Sequence, residues 1–371
     1  SAANMYLARR WKEGLFGELM YAEYEYVHEC RNLCYTYIDG LPIQPGNQVH
    51  NWRSWLNFHY YCTHSLGPVM VITGTRPTRV AALPSEVTLA GYLMKNTEGM
   101  GGITPTLIHM SNGGLVRNLM GATTNDSHIQ RLWGTLGAAE INVGHGLQLR
   151  LGARGYAPKF PVVPNWDAMG AMAAKTGHGG GDFWVLYYFA RQILTGEPGP
   201  FDIYGASDVT IPGILGFRSS CEGGKPYDVP DFRDPKAREA WRNDEWAQKR
   251  YDAKKGVFPV GADYEITKHF SRTMTDLIDL STTYRAYVDW KKVAGDLREP
   301  GERKEAAVRL LGLYPGLVET YRDARRIVDA YPTSDGARML RDMLELGEEK
   351  IATSPVFLKV LKSDCARLKR L

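Results

Sequence analysis

Hydrophobic and polar positions change period several times along this chain, and each change marks an element. Leu7, Trp11 and Leu15 fall on one face of a helix predicted over residues 5–13, which Gly14 and Gly17 bring to an end. Residues 18–28 then alternate as a half-covered strand does. Leu19, Tyr21, Glu23 and Glu25 face one way, and Met20, Ala22, Tyr24, Tyr26 and His28 the other. Residues 31–57 keep neither period and are rich in Pro, Gly, Asn and aromatics, which marks a candidate binding loop. A short helix is predicted over 64–73. Strands are predicted over 79–83, 104–110, 114–122, 128–135 and 137–142, and their short Gly, Asn and Asp links favour antiparallel pairing.

Residues 182–194 predict a helix with Trp184, Tyr187, Tyr188 and Ile193 buried or at a boundary, stopped by Gly196-Glu197-Pro198-Gly199. Another helix is predicted over 206–221. From Asp234 onward the composition turns to Glu, Arg, Lys, Ala and Leu at helical spacing, giving helices over 306–313, 317–331, 336–346 and 355–371. The order predicts an α+β fold: an open, mostly antiparallel β-sheet with helices on one face, plus a C-terminal helical extension. Residues 1–233 form the α+β domain in this reading and 234–371 the extension packed on it. An apolar sheet face left uncovered would favour self-association.

Composition narrows the classes of partner. A chain of 371 residues with 44% hydrophobic content can bury at least one full core. Its 45 basic and 41 acidic residues leave a thinly spread charge of +4, and no basic run interleaves with aromatics, so no nucleic-acid partner is expected. Apolar runs such as residues 69–72 fall far short of the ~20 residues of a membrane-spanning helix, and no membrane partner is expected. The cysteines, Cys30, Cys34, Cys62, Cys221 and Cys365, are odd in number and show neither redox nor zinc spacing, which suits reduced packing residues. The chain begins at Ser1 without a leader before Trp11; a start further upstream is expected, leaving cytoplasm or periplasm open.

Two segments carry candidate chemistry. Thr63-His64-Ser65-Leu66-Gly67-Pro68 and Gly177-His178-Gly179-Gly180-Gly181-Asp182 each set a histidine at the mouth of a predicted helix, beside glycines that let another group approach the backbone. His178 and Asp182, four apart, share a helix face, where the carboxylate could fix the imidazole tautomer. Tyr24, Tyr26 and His28 make an aromatic strand face, open to packing or to a ligand. His28, His64, His178 and Asp182 show no metal-ligand spacing, and no metal is expected. Nowhere does a strand run into Gly-x-Gly-x-x-Gly, the turn that seats a dinucleotide pyrophosphate.

Five segments in order carry a resemblance. They are Leu15-Phe16-Gly17-Glu18; Tyr61-Cys62-Thr63-His64-Ser65-Leu66-Gly67-Pro68-Val69; Gly134-Thr135-Leu136-Gly137-Ala138; Gly177-His178-Gly179-Gly180 with Asp182-Phe183; and Glu222-Gly223-Gly224-Lys225-Pro226 before Val229-Pro230-Asp231-Phe232. Over residues 4–233 the chain resembles the C-terminal domain of the glucose–fructose oxidoreductase, inositol dehydrogenase and MocA family, and within it the NAD-dependent α-N-acetylgalactosaminidase-like branch. The resemblance implies a substrate-binding and oligomerisation domain whose N-terminal Rossmann partner is absent from this chain. It implies NAD or NADP in the full-length protein and none bound to this chain alone, a sugar or sugar-derivative substrate, and a homo-oligomer through the open sheet.

Carried across residue by residue, the family's proton-transfer histidine falls on His64. Tyr60 stands where many of the dehydrogenases have an aspartate. Tyr61 matches a tyrosine of the glycosidase branch, a candidate acid or base, although Cys62 replaces the proline that follows it there. Arg53, beside Trp52, resembles the branch's substrate-binding arginine. The candidate catalytic set is therefore His64, Tyr61, His178 and Asp182, and the candidate substrate-binding set Arg53, Trp52, Tyr26, His28 and Tyr60. Three functions stay open: a sugar oxidoreductase inactive without its Rossmann domain, an NAD-dependent glycosidase working by oxidation and elimination, and a non-catalytic carbohydrate-binding or dimerisation module.

Overall fold

The computed structural model describes residues 1–29, 31, 58–87, 89–91, 102–121, 123, 125–142, 146–164, 168–250, 257–293 and 301–368. The chain divides into two compact units. One gathers Ser1–Glu29, Asn57–Thr88 and Glu98–Glu245, the other Cys30–Leu56, Leu89–Thr97 and Trp246–Leu371.

The first unit is built on nine strands: β1 (Leu19–Val27), β2 (Pro77–Ala82), β3 (Ile103–Met110), β4 (Leu115–Gly121), β5 (Gln130–Gly134), β6 (Gly137–Asn142), β7 (Gly146–Leu151), β8 (Phe160–Val162) and β9 (Tyr227–Asp228). They lie in the order β8-β7-β6-β5-β1-β4-β3-β2-β9. β1 runs parallel to β4 and antiparallel to β5, and the other neighbours are antiparallel, so the α+β, mostly antiparallel expectation is met. Three strands, β7, β8 and β9, were not predicted from the sequence; β8 and β9 are the sheet's end strands and have only three and two residues.

Helices α1 (Ala2–Lys12), α2 (Cys62–Thr73), α3 (Gly181–Thr195) and α4 (Ile203–Cys221) belong to this unit. Leu7 of α1, Leu66 and Val69 of α2 and Leu215 of α4 join Tyr24, Ile108, Val116 and Leu132 in one buried core on one face of the sheet. That burial outweighs local propensity: α4 continues through Pro212 because the helix is held by packing. α3 forms as predicted, but its expected burial does not follow. None of its residues is buried, and Ile193 is 68% exposed. Its apolar residues are spread around the helix, so no single stripe turns inward.

The alternation expected of β1 slips once. A register shift between Leu19 and Tyr21 puts Leu19 among the buried residues with Ala22 and Tyr24, and leaves Met20 59% exposed. The face of the sheet bearing Glu23 and Glu25 is charged. Arg117 reaches Glu23 at 3.3 Å and Glu25 at 3.2 Å, while Arg131 reaches Glu23 at 3.2 Å and Glu140 at 3.3 Å. An uncovered apolar face, the physical ground for expecting self-association here, is not what this side presents.

The second unit contains α5 (Phe270–Val293), α6 (Gly301–Ala330), α7 (Asp335–Leu346) and α8 (Pro355–Leu368). Met274, Leu277, Tyr284, Leu317, Tyr321, Leu340 and Leu361 are buried within it. Residues 306–313 and 317–331, predicted as two helices, are one: Pro315 lies inside α6. A proline's φ suits a helix and costs one backbone bond, and burial of Leu310, Leu317 and Tyr321 along the same helix offsets that loss. Among the described residues no helix is long and apolar enough to cross a membrane.

Candidate functional site

The end of β1 and the mouth of α2 bring most of the predicted site residues together. At the strand's end Val27 pairs with Ser127 through two backbone hydrogen bonds of 3.0 and 2.8 Å. This register sets His28 against Asp126 and Tyr26 against His128, on the face opposite to Ser127, whose hydroxyl donates to Glu25 at 2.5 Å. From the other side a 3-10 turn, Phe58–Tyr61, leads into α2 and places Tyr61 and His64 one turn apart. The rings converge. Tyr26 stacks on Tyr61 with centroids 5.4 Å apart and meets His64 at 4.3 Å, and Tyr61 and His64 are 5.4 Å apart.

The α2 mouth is fixed from behind by close backbone contact with α4. A Cβ placed on Gly213 would stand 2.3 Å from the His59 carbonyl oxygen and 2.8 Å from Cys62 Sγ. Cys62 itself donates to the Val209 carbonyl at 3.0 Å, and its thiol pKa is pushed up to about 12 by burial. Cys62, Cys221 and Cys365 carry no disulfide, in keeping with the packing role expected of them. Gly213→Ala is expected to destabilise the first unit by about 1–3 kcal/mol or more, because the obstructing atom is backbone and cannot turn aside. Urea unfolding measures this, and an unchanged midpoint would show that α2 and α4 can part without cost.

His64 is exposed by area, yet it leans on two phenol rings that displace water from its sides. That desolvation is the main cause lowering its pKa below the ordinary 6.5; the Tyr61 backbone carbonyl works the other way, and His178 and His128 lower it further. Its Nδ1 lies 3.2 Å from Thr63 Oγ1. The imidazole is therefore neutral at neutral pH and able to accept a proton.

His178 and Asp182 form the expected pair, Nδ1 to Oδ1 at 2.8 Å, but both side chains are well exposed. His178, Gly179 and Gly180 all take left-handed backbone, with φ of 53°, 60° and 92°, so the glycine run makes a tight turn into α3. Of the two, His178 acts on His64 through its charge. Tyr60 departs from the cluster. It packs edge-on against Phe217 with centroids 5.8 Å apart, and burial pushes its phenol up to about 12. Trp52, Arg53 and nearly all of the candidate binding loop lie outside the described residues.

Other quoted motifs are scaffold. Leu136 N–H donates to the Phe16 carbonyl at 3.0 Å and Glu18 N–H to Thr135 Oγ1 at 3.1 Å, so the Leu15–Glu18 and Gly134–Ala138 segments clasp one another. Gly224 N–H caps α4 by donating to the Ser219 carbonyl at 2.9 Å. A groove of about 300 Å³ on the charged face, lined by Arg131, Trp133, Glu140 and Arg150, holds none of the candidates. Among the described residues no strand-to-helix turn has the glycine pattern of a pyrophosphate cradle.

Residues 153–243 match the model "Glycosyl hydrolase 109, C-terminal domain", a span that includes His178 and Asp182 and excludes His64. The chain is 28% identical over 262 residues to an "Alpha-N-acetylgalactosaminidase" of Tannerella forsythia, covering 60% of this chain and 56% of that protein. It is 26% identical over 256 residues to a "Glycosyl hydrolase family 109 protein" of Saccharopolyspora erythraea, covering 62% and 54%. Among solved structures it is similar to an aldose-aldose oxidoreductase from Caulobacter crescentus, at 16% identity and TM-score 0.42, covering 62% of this chain and 61% of that one. The chain thus spans about half the length of the curated relatives it matches. The likeness to the α-N-acetylgalactosaminidase-like branch read from the sequence is borne out.

Proposed function

We propose, from the likeness of this chain to the glycosyl hydrolase 109 C-terminal domain, that it is the sugar-facing part of an NAD-dependent glycosidase. The observation that carries the reading is the convergence of Tyr26, Tyr61 and His64 at the end of β1. Phenol rings offer the apolar, face-presenting surface on which a pyranose C–H face rests. A neutral imidazole in their midst takes the proton from a sugar hydroxyl, and Tyr61, on the same helix mouth, exchanges a proton with the leaving-group oxygen. The nucleotide's own binding residues are assigned to a partner domain. A second reading, a sugar oxidoreductase without the elimination, uses the same imidazole in the same role.

The test joins this chain to a nucleotide-binding domain and supplies NAD with an aryl α-N-acetylgalactosaminide. Release of the aryl alcohol without net NADH is the expected result. Net NADH from free sugars would move the assignment to the oxidoreductase reading, and neither product, with sugar still bound, to a carbohydrate-binding module.

A further inference from the structure

Asp126 and His128 belong to no motif singled out in the sequence, yet they complete a three-residue cluster with His28. The ligand-capable atoms of the three residues lie within 4.8 Å of one another. The strand register explains why. Val27 and Ser127 are paired, so His28, Asp126 and His128 all project on the side opposite to Ser127. Asp126 is oriented by the Glu29 N–H, which donates to its Oδ1 at 2.7 Å, and that leaves Oδ2 turned toward the histidines.

The contact between His28 and Asp126 is itself unusual. His28 Nδ1 stands 2.8 Å from Asp126 Oδ2, but that nitrogen is buried and makes no aligned hydrogen bond. The contact is close enough for a bent hydrogen bond, and it brings one ring nitrogen and one carboxylate oxygen of the cluster side by side. A tetrahedral ion with bonds of roughly 2.0–2.2 Å holds its ligands about 3.3–3.6 Å apart, so binding would draw these two atoms slightly apart from their 2.8 Å separation.

We propose that His28, Asp126 and His128 bind a divalent first-row transition ion, zinc being the natural probe. Two imidazoles and one carboxylate are the donor set such ions take, and three protein ligands leave positions for water or a substrate oxygen. The sequence offers His28 only in company with His64, His178 and Asp182, and the structure gives it different neighbours. Tyr26 is the common wall: its ring is 6.0 Å from His28, 5.3 Å from His128 and 4.3 Å from His64. The ion therefore borders the ring cluster of the proposed sugar site. Its binding is independent of that reading and needs no turnover.

The experiment titrates the metal-stripped full chain with zinc chloride by calorimetry and follows the histidine ring resonances by NMR. The expected result is one ion per chain with a micromolar dissociation constant, and shifts confined to two of the nine histidines. His28→Asn and His128→Asn should each weaken binding at least about tenfold, the scale seen when even an outer-shell partner is lost. Circular dichroism melting shows that these variants remain folded. No saturable binding up to about 1 mM, a level equivalent to roughly −4 kcal/mol, would overturn the proposal and leave an ordinary histidine–carboxylate ion pair. Zinc binding that both variants retain unchanged would overturn it equally, because the ion would then sit elsewhere.

Discussion

On the proposed function, replacing His64 by alanine in a protein that joins this chain to a nucleotide-binding domain is expected to lower kcat by about 10²–10⁴-fold, the usual contribution of a positioned acid–base group. KM should change little, since the stacked Tyr26 and Tyr61 rings beside it remain in place. The pH profile gives the sharper readout. Desolvation by the two phenols lowers the His64 pKa, helped by the nearby His178 and His128, so the acid limb of kcat/KM should fall below pH 6.5. That limb should be absent from the His64→Ala enzyme. Tyr61→Phe keeps the stacking surface and removes the hydroxyl, and should lower kcat while preserving affinity. A His64→Ala enzyme with wild-type kcat and an unshifted limb would remove His64 from the chemistry altogether.

Acid should destabilise the first unit through His59 as the pH falls below 6.5. His59 is fully buried beneath α4, its Nδ1 2.8 Å from Thr106 Oγ1, and burial pushes its pKa down from 6.5 to about 3. The unfolded chain thus binds a proton below pH 6.5 that the folded chain refuses until about pH 3. Stability from this group is complete above pH 6.5 and is lost progressively as pH falls through that window, at about 1.4 kcal/mol per pH unit. The loss reaches about 3 kcal/mol by pH 4. Urea melts between pH 7 and pH 4 on the wild type and on His59→Gln isolate the effect: the variant, whose amide does not titrate, should show the shallower dependence. Equal slopes in the two proteins would mean that His59 is hydrated or charged in the folded state.

The readability of the fold follows from which interactions are local. β1 declares itself because alternation over nine residues is its own signal, and α2 because residues between Cys62 and Gly74 are helical by pattern and closed by a left-handed glycine. β8 and β9, with three and two residues, are too short to show a period; they exist because a neighbouring strand presents unpaired backbone groups. Pro315 reads as a break in one dimension and is absorbed in three, because the buried side chains on either side of it hold one helix together.

The candidate site divides along the same line. Tyr61 and His64 were legible together because they lie one turn apart on a single helix mouth. His178 and Asp182 were legible as a pair for the same reason, but their spacing could not reveal how exposed both are. Tyr60, next to Tyr61 in sequence, turns instead to Phe217, a choice made by the packing of α4. The Asp126-Ser127-His128 triplet carried only the weak signal of two ligand types two residues apart on an extended segment.

By itself the sequence determined the α+β class, the principal helices and strands, the family likeness and a histidine at a helix mouth, because each is written in periodicity, glycine placement or contiguous motif. Only the tertiary structure decided that β1 lies parallel to β4, that the sheet's other face is charged, and that Tyr26 joins Tyr61 and His64 while His28 joins Asp126 and His128. Those outcomes depend on strand register and on the closeness with which α4 meets α2. Both are set by burial between segments 30 to 150 residues apart, and local spacing holds no record of them.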